Sequence, residues 1–292
     1  AVSTPEPFMK LYNQGMITAP AYQTSTGLHI PTANVAWKDD KPHHPETGEE
    51  LSVVIAKMSK SLGNVVNPDD VIRDWGADSM RLYEMYMGPL DVGTVWDTRA
   101  IVGAHRFLQR SWRLIVGEER DEGDFSIRPS LSEYRAVDEG IERILHQTIK
   151  KVTEDIETLG FNTAIAQMMT FVNEATKRPD ALTLSQAELF VLILSPFAPH
   201  IGEELWQRLG HTEPLVYESW PTYDKSLCIE ETVEIPVQIN GKLRARLQVP
   251  PDIPKEELIA KAKEAIVSRI EGKEIVKEIV VPGRLVNLVV KG

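Results

Sequence analysis

The chain contains very little cysteine, since Cys228 is the single one among its 292 residues. One thiol cannot form an internal disulfide, and it leaves no zinc site built from several thiolates. Long apolar runs are also lacking, because none approaches the roughly 20 residues that a membrane-spanning helix needs. The N-terminus has no signal-peptide pattern. These absences fit a reducing, cytoplasmic setting with no membrane partner, and no zinc is expected in this chain.

An excess of positive charge is lacking as well, since the formal net charge is −11. This value argues against a general nucleic-acid binder. The acidic residues are concentrated in residues 117–230, which carry 10 Lys/Arg and 21 Asp/Glu. Residues 57–116 carry 8 and 7, and residues 231–292 carry 11 and 9. Any contact with RNA is therefore expected in these two less acidic segments.

The most informative segment that is present lies at residues 57–64, which we call the signature loop. It reads Lys-Met-Ser-Lys-Ser-Leu-Gly-Asn. The ammonium groups of Lys57 and Lys60 can lie against phosphate oxygens, and the hydroxyls of Ser59 and Ser61 add small donors. Met58 is expected to pack beneath the loop. The pattern predicts a polyphosphate-binding loop, and a solvated basic turn before a helix is the alternative.

The first half of the chain predicts short elements around this loop. Residues 6–16 are typical of a short helix stopped by Gly15. Residues 17–52 are rich in Pro, Thr, Asp and Gly, which predicts strands and turns with no packed core of their own. Asn67 and Pro68 predict the start of a helix that ends at Gly76. A second helix is predicted over residues 78–87.

The middle of the chain predicts a helical bundle. Apolar residues recur at three- and four-residue steps over residues 97–116 and from Tyr134 to about residue 159. Residues 117–130, between them, are interpreted as a loop. Asn162 or Thr163 is expected to cap the next helix and Ser185 the one after it, with Pro196 and Pro199 interrupting the chain before a last helix.

The C-terminal segment predicts a small α+β module. Two alternating runs flank an Asn-Gly pair at 240–241, which is a strong β-hairpin signal. A helix is predicted from Pro254 to about residue 270, followed by a second pair of strands at 275–281 and 285–290. On the hairpin, Lys242, Arg244 and Arg246 alternate with apolar residues, so all three are expected on one face of the strand.

Several strings along the chain together resemble one family. The signature loop, the Gly-Ala-Asp at 76–78 and the Arg-Leu-Tyr at 81–83 are similar to class I aminoacyl-tRNA synthetases that charge Leu, Ile, Val and Met. Residues 161–165, 195–200 and 203–206 resemble the helical anticodon-binding-type domain of those enzymes. Residues 237–244 and 281–287 resemble the C-terminal domain of bacterial leucyl-tRNA synthetases. The resemblance covers nearly the whole chain, and the motifs occur in the same order as in the family.

The resemblance implies a multidomain, mainly α protein with three parts. Residues 1–96 would be the C-terminal end of a Rossmann-type catalytic domain with the signature loop. Residues 97–230 would be the helical anticodon-binding-type domain, and residues 231–292 a small α+β tRNA-binding domain. The implied function is that of the C-terminal portion of a leucine–tRNA ligase, which activates leucine with ATP and transfers it to its tRNA. The expected partners are therefore leucine tRNA, with ATP, Mg²⁺ and leucine bound together with an N-terminal half.

The resemblance also implies roles for individual residues. Lys60 would be the catalytic residue that stabilises the leaving pyrophosphate. The expected ATP-binding residues are Lys57, Ser59, Lys60 and Ser61. The expected tRNA-binding residues are Arg106, Arg110, Arg113, Lys242, Arg244 and Arg246, although for the three helical arginines an exposed basic stripe without a partner is the alternative.

One element of the family's pattern is missing. Its first ATP signature, similar to His-Ile-Gly-His, should lie upstream of the signature loop and is absent from these 292 residues. The His-Ile-Gly-Glu at 200–203 lies downstream in a predicted helix, where it has the wrong context. We therefore expect the whole protein to be the enzyme and this portion alone to be inactive. The alternatives are a non-catalytic RNA-binding protein derived from such a tail, or an isoleucyl or valyl enzyme.

The remaining conspicuous side chains are expected to be structural. His43 and His44 are interpreted as part of a solvated turn rather than as metal ligands. Trp112, Trp206 and Trp220 are expected to pack in the core or between domains rather than to stack on bases.

Overall fold

The computed structural model describes residues 3, 6, 8–117, 126–132, 136–229, 233–250 and 253–291. The chain forms two compact units, residues 1–224 and residues 225–292. No described helix is long and apolar enough to cross a membrane. The prediction was a mainly α, multidomain protein with an α+β module. The structure has both helices and sheets in two compact units, which agrees with the multidomain, mixed α/β part of that prediction. The three-part division of the chain at residues 96 and 230 stays a prediction.

The strands of the first unit include the one that leads directly into the signature loop. They are β1 (Ile17–Gln23), β2 (His29–Ile30), β3 (Ala36–Lys38), β4 (Lys41–His43), β5 (Ser52–Lys57) and β6 (Thr94–Val95). β1 lies between β2 and β5, antiparallel to both, and β6 pairs with β1 in the parallel sense. β3 and β4 form a separate hairpin. The ladder between β1 and β5 pairs Thr18 with Lys57, so it holds the start of the signature loop.

Two expectations for this region are wrong. Residues 17–52 do bury a small apolar cluster, formed by Tyr22, Ile30 and Leu51. The described residues of the segment 6–16 contain no helix, and Phe8 is 82% exposed there. Gly15 has another role, because a Cβ at this position would lie 2.2 Å from the backbone of Val92. The close passage of a neighbouring chain segment, rather than the end of a helix, explains this glycine.

The helices of the first unit follow in chain order. They are α1 (Pro68–Trp75), α2 (Ala77–Tyr86), α3 (Ile101–Ile115), α4 (Pro129–Ser132), α5 (Glu139–Thr158), α6 (Phe161–Lys177), α7 (Leu184–Leu194) and α8 (Pro199–Arg208). Asn67 caps α1 by accepting from the N–H of Asp69, with Pro68 at the first helical position, as predicted. Tyr134, the predicted start of the long helix, lies outside the described residues. Most of the predicted loop at 117–130 lies outside them too.

The caps of two bundle helices differ from those predicted. α6 begins at Phe161 after Gly160, and the hydroxyl of Thr163 donates to the buried carboxylate of Asp155 at 2.6 Å instead of capping. α7 is capped by Thr183, whose side chain and that of Gln186 accept reciprocally from each other's backbone N–H groups. Gly160, which makes no side-chain capping bond, lies two and three positions before the predicted caps of α6, and Thr183 lies two positions before Ser185. For α7 the reciprocal hydrogen bonds with Gln186 decide between the neighbouring candidates.

One apolar core joins the helices of the first unit. Its fully buried members include Leu82 of α2, Ile101 of α3, Leu145 of α5 and Phe171 of α6. Met58 of the signature loop packs against this same core from the outside, as expected. Helices α1 and α2, which follow the signature loop, are therefore supported by the bundle as well as by the chain that leads into them.

The second unit is a four-stranded sheet with helices. Its elements are β7 (Val233–Ile239), β8 (Lys242–Val249), α9 (Lys255–Ala265), α10 (Val267–Ile270), β9 (Glu274–Val281) and β10 (Leu285–Lys291), and the strand order is β8-β7-β10-β9. β7 and β10 are parallel, and the other pairs are antiparallel. Asn240 and Gly241 both have positive φ, 50° and 79°, as the predicted tight hairpin turn requires.

Candidate functional site

The backbone of the signature loop is fixed by one buried amide. Asn64 is 2% exposed. Its Oδ1 accepts from the N–H of Ser59 at 2.9 Å. Its Nδ2 donates to the carbonyl of Ala19 in β1 at 3.2 Å, and it also lies within 3.4–3.5 Å of the carbonyls of Lys57 and Ala56. The side chain of Asn64 therefore connects the backbone of the loop to strands β1 and β5.

The back of the loop contacts a neighbouring segment through Gly63. This glycine has a φ of +64°, and a Cβ on it would lie 2.7 Å from the Cα of Pro31. Its carbonyl accepts from the N–H of Thr32 at 3.0 Å. Both the left-handed backbone and the close approach require glycine here. Gly63 and Asn64 together leave the loop little freedom.

The two serines are used inside the loop. The hydroxyls of Ser59 and Ser61 lie 2.9 Å apart, and Ser59 Oγ also accepts from the N–H of Leu62 at 3.2 Å. Because the backbone N–H of Ser59 donates to Asn64, this residue supports the turn rather than presenting its N–H outwards. Direct phosphate contacts by the two serines stay a prediction.

The two lysines of the loop are directed to solvent. Lys57 and Lys60 are both exposed. Neither ammonium forms an ion pair within the part of the chain that the structure describes. A rigid backbone that carries two unpaired cations can bind an anion without first breaking an internal contact. This geometry is suited to phosphate oxygens.

The three arginines of α3 are not equivalent. Arg106 and Arg113 are exposed, whereas Arg110 is half-buried. Arg110 donates through Nη2 to the side-chain oxygen of Asn173 in α6, and its Nε is buried without a partner among the described residues. Arg110 therefore joins two helices of the bundle. The remaining pair, Arg106 and Arg113, lies seven residues apart on one helix face.

The basic residues of the β7–β8 hairpin do not lie on one face, and the prediction that they do is wrong. The register passes from Val237 opposite Ala245 to Gln238 opposite Leu243, which leaves Arg244 as the extra residue of a bulge. Residues that face each other across a ladder share one side of the sheet. Lys242, opposite buried Ile239, is therefore on the other side from Arg246.

Arg246 is also engaged in an ion pair. Its Nη1 donates to Glu234 Oε1 at 2.6 Å across the same hairpin. The side chains of both partners are largely exposed. The sequence contained no signal for the bulge, since alternation continues through it, and a role of these residues in binding RNA stays a prediction.

The histidines and tryptophans have identifiable structural contacts. His44 accepts at Nδ1 from the N–H groups of Glu46 and Thr47, which closes a turn. Trp206 is buried and stacks on His211 with ring centroids 3.6 Å apart. Trp220 donates to the hydroxyl of Thr153 at 2.8 Å. Trp112 is half-buried at the edge of the core.

Sequence reasoning missed a clamp that joins α2 to the start of α8. Asp78 accepts from the N–H of His200 at 3.3 Å, from the N–H of Ile201 at 2.8 Å and from His200 Nδ1 at 2.8 Å. One turn further along α2, Arg81 donates to the carbonyls of Pro196 and Phe197. The Gly-Ala-Asp and Pro-His strings are far apart in the sequence, and only the fold places them together.

Comparison with known proteins gives two family matches. Residues 55–91 match tRNA synthetases class I (I, L, M and V). Residues 138–259 match the anticodon-binding domain of tRNA ligase. The first match contains the signature loop, α1 and α2, and the second contains α5 to α8 with the β7–β8 hairpin.

The fold is similar to that of a solved synthetase. The agnB2 LeuRS of Agrobacterium radiobacter K84, crystallised as a ternary complex with tRNA and LeuAMS, matches with a TM-score of 0.61 and 29% sequence identity over 99% of this chain. The chain spans 34% of that protein's length. These matches confirm the resemblance to class I tRNA synthetases that the sequence motifs indicate, with a leucyl enzyme as a structural relative.

Proposed function

We propose that this class I synthetase-like chain is the C-terminal portion of a leucine–tRNA ligase. The whole protein would activate leucine with ATP and transfer it to leucine tRNA, and this portion would supply the signature loop and RNA-binding surfaces. The observation that carries the proposal is the geometry of the signature loop, in which a backbone fixed by Asn64 and Gly63 presents the ammonium groups of Lys57 and Lys60 to solvent.

Lys60 is assigned the main electrostatic role. When the carboxylate of leucine attacks the α-phosphate, negative charge develops on the departing β- and γ-phosphates. An ammonium held in place before the reaction stabilises that charge without reorganising. Lys57, at the end of β5, adds a second positive charge, and the serines keep the turn between the lysines in shape.

Mg²⁺ is expected to enter with the triphosphate. The described residues contain no group of three or more His, Cys, Asp or Glu side chains that could hold a metal ion.

The test is Lys60→Ala in the full-length protein, measured by leucine-dependent ATP–pyrophosphate exchange. We expect kcat to fall by an amount equivalent to about 2–4 kcal/mol, with a much smaller change in the KM for leucine, because the ammonium acts mainly in the transition state. Lys38→Ala, at an exposed lysine at the end of β3, is the matched control. A kcat within about threefold of the wild-type value would remove Lys60 from this role. Absence of leucine-dependent exchange by the wild-type full-length protein would favour the non-catalytic RNA-binding alternative.

The chain on its own is expected to show no such exchange. The first ATP signature of the family is not among its 292 residues, and positioning of the reacting groups supplies most of the catalysis. Pyrophosphate exchange by the purified chain, measured beside the full-length protein, checks this expectation. Robust exchange by the chain alone would show that its nucleotide site is complete.

Binding of tRNA is proposed for the bundle and the second unit. The relative of known structure was solved with tRNA, and the exposed Arg106 and Arg113 together with the net-positive second unit provide cationic groups. Removal of residues 231–292 should weaken tRNA binding and lower its salt slope by about 0.7–0.9 for each phosphate that the protein then fails to reach. Leucine activation by the full-length protein should change little.

A further inference from the structure

A cavity of about 660 Å³ lies in the first unit, where four helices meet. It is bounded by the last residue of α1, the first turn of α2, one face of α3 and the first turn of α8. Its lining includes Trp75, Asp78, His105, Gln109, Trp112 and His200. The signature loop, with its two lysines, does not line this cavity.

The walls of the cavity are aromatic. Trp75 and His105 meet edge to face, with ring centroids 5.6 Å apart and planes at 73°. Trp112 lies seven residues after His105 on α3, so both rings project from the same side of that helix. The guanidinium of Arg208 lies over one face of the Trp112 ring, 5.1 Å from the ring centroid. Such walls offer π faces and ring edges to a flat ligand.

The cavity is held in shape by hydrogen bonds. Ser79 Oγ and Gln109 Nε2 each lie 3.1 Å from a different ring nitrogen of His105, which fixes the orientation of that ring. At the floor, Asp78 accepts three hydrogen bonds from His200 and Ile201 and thereby fixes the first turn of α8. A site that is formed in advance loses little entropy when it binds a ligand.

The charge at the cavity is positive on its exposed side. Arg113 lines the cavity and is exposed, and Arg106 is exposed on the same face of α3. The carboxylate that lines the cavity, Asp78, already accepts three hydrogen bonds. Aromatic walls with polar side chains at their edges and guanidinium groups outside form the combination that binds an unstacked base and its phosphates.

We propose that this cavity takes one unpaired nucleobase of the RNA that the protein binds. The base would lie against the rings of Trp75 and Trp112, its edge would be hydrogen-bonded by Gln109 and His200, and Arg113 and Arg106 would contact the flanking phosphates. The proposal rests on the proposed binding of tRNA, and it names a place on the first unit where a base rather than the backbone is held.

The first test is a comparison of variants in tRNA binding at one fixed salt concentration. Ala77→Phe adds a ring at a residue that lines the cavity and removes no contact, and Trp112→Ala removes one wall. Each should raise the Kd for tRNA by about 5- to 150-fold, the effect of losing one stacked base. Trp37→Ala, at a tryptophan that is 60% exposed and does not line the cavity, is the control and should leave the Kd unchanged.

The second test locates the contact directly. After ultraviolet irradiation of the chain with leucine tRNA, peptides that contain Trp75, His105 or Trp112 should carry a nucleotide adduct, and Ala77→Phe should abolish it. Thermal unfolding of each variant verifies that it is folded, and Ala77→Phe keeps the test valid if Trp112→Ala does not fold.

The outcomes separate the two proposals. Normal tRNA affinity in both cavity variants, with no adduct in the cavity, would overturn the base site and leave the proposed function standing. Absence of tRNA binding by the unsubstituted chain would remove the proposed RNA-binding role and the base site with it. If free mononucleotides quench Trp75 and Trp112 fluorescence while tRNA forms no adduct, the cavity serves free nucleotides and the proposal is wrong.

Discussion

The signature loop and the β7–β8 hairpin both carry closely spaced basic residues, yet the fold treats them in opposite ways. In the loop, a buried amide and a close-packed glycine fix the backbone, and both lysines are exposed and unpaired among the described residues. In the hairpin, a bulge separates Lys242 from Arg246, and Arg246 is paired with Glu234. The two segments carry a similar number of basic residues, but they differ in how the backbone is held and in whether the basic side chains are paired. Only the loop therefore combines, among the described residues of these two segments, a backbone held from beneath with basic side chains that are all unpaired.

The strongest test of this contrast is Asn64→Ala. The substitution leaves the N–H of Ser59 and the carbonyl of Ala19 without their amide partner in a buried place. We expect a loss of about 2–4 kcal/mol in the free energy of unfolding, measured by urea denaturation of the chain. Asn34→Ala, at an exposed asparagine, is the control and should change it by less than about 0.5 kcal/mol. An unchanged urea midpoint for Asn64→Ala would mean that the loop is not held through this residue.

Gly63→Ala tests the second support of the loop. It adds a left-handed alanine and a Cβ at 2.7 Å from Pro31, so we expect destabilisation of about 1–3 kcal/mol. Gly27→Ala is a matched control, because Gly27 also has positive φ, +84°, but a Cβ added there would meet no atom within 4 Å. The difference between the two unfolding free energies isolates the contact with Pro31. Equal effects of the two substitutions would show that the contact contributes nothing.

The hairpin is tested by comparing single and triple substitutions of its basic residues. Because Lys242 and Arg246 lie on different sides of the sheet, they cannot act as one patch. The change in tRNA-binding free energy for the triple alanine variant of Lys242, Arg244 and Arg246 should equal the sum of the single changes within about 0.5 kcal/mol. Salt titrations of binding provide the values. Strong non-additivity would restore the single basic surface that the sequence predicted.

The smallest expected effect concerns an exposed ion pair. A side-chain hydrogen bond from Arg99 lowers the pKa of Asp97 below its usual value. The resulting stabilisation is present above the unfolded-state pKa of about 3.9 and is lost as the pH falls through the lower, folded-state pKa. We expect less than about 1 kcal/mol. The urea midpoint of the native chain should fall slightly more than that of Asp97→Asn between pH 7 and pH 3. An identical decrease in both would show that the pair does not stabilise the fold.

Local sequence signals predicted the elements whose determinants are adjacent in the chain. Asn67 with Pro68 predicted the start of α1, and the Asn-Gly turn predicted the β7–β8 hairpin, because each signal acts within four residues. The caps of α6 and α7 were misplaced by two or three positions, since Thr163 is bonded to Asp155 of α5 and Thr183 competes with Ser185 at the start of α7. The helix predicted over residues 6–16 was wrong because Phe8 has no core to pack against.

The candidate site was predictable only in part, because only some of its determinants are adjacent in the sequence. The signature loop could be located from its lysines and serines, and Met58 was expected to pack beneath it. The role of Asn64 depends on carbonyls of β1 and β5, and the cavity is built by side chains from α1, α2, α3 and α8. Alternation along β8 continued through the bulge, so the sequence predicted one basic face where the sheet has two. Long-range placement of this kind has no local signal.

The clamp between Asp78 and the start of α8 has a consequence for the order of events during synthesis. Asp78 and Ile201 are 123 residues apart, and at about 5–20 residues per second a ribosome needs about 6–25 s to make the second after the first. During that interval α2 has neither its clamp nor the α8 part of its core. The signature loop is therefore synthesised before the helices that follow it have their full packing and hydrogen bonds. Limited proteolysis of nascent chains halted near residue 180, compared with chains extended past residue 250 so that α8 has left the ribosome, measures this delay as cleavage within residues 57–96.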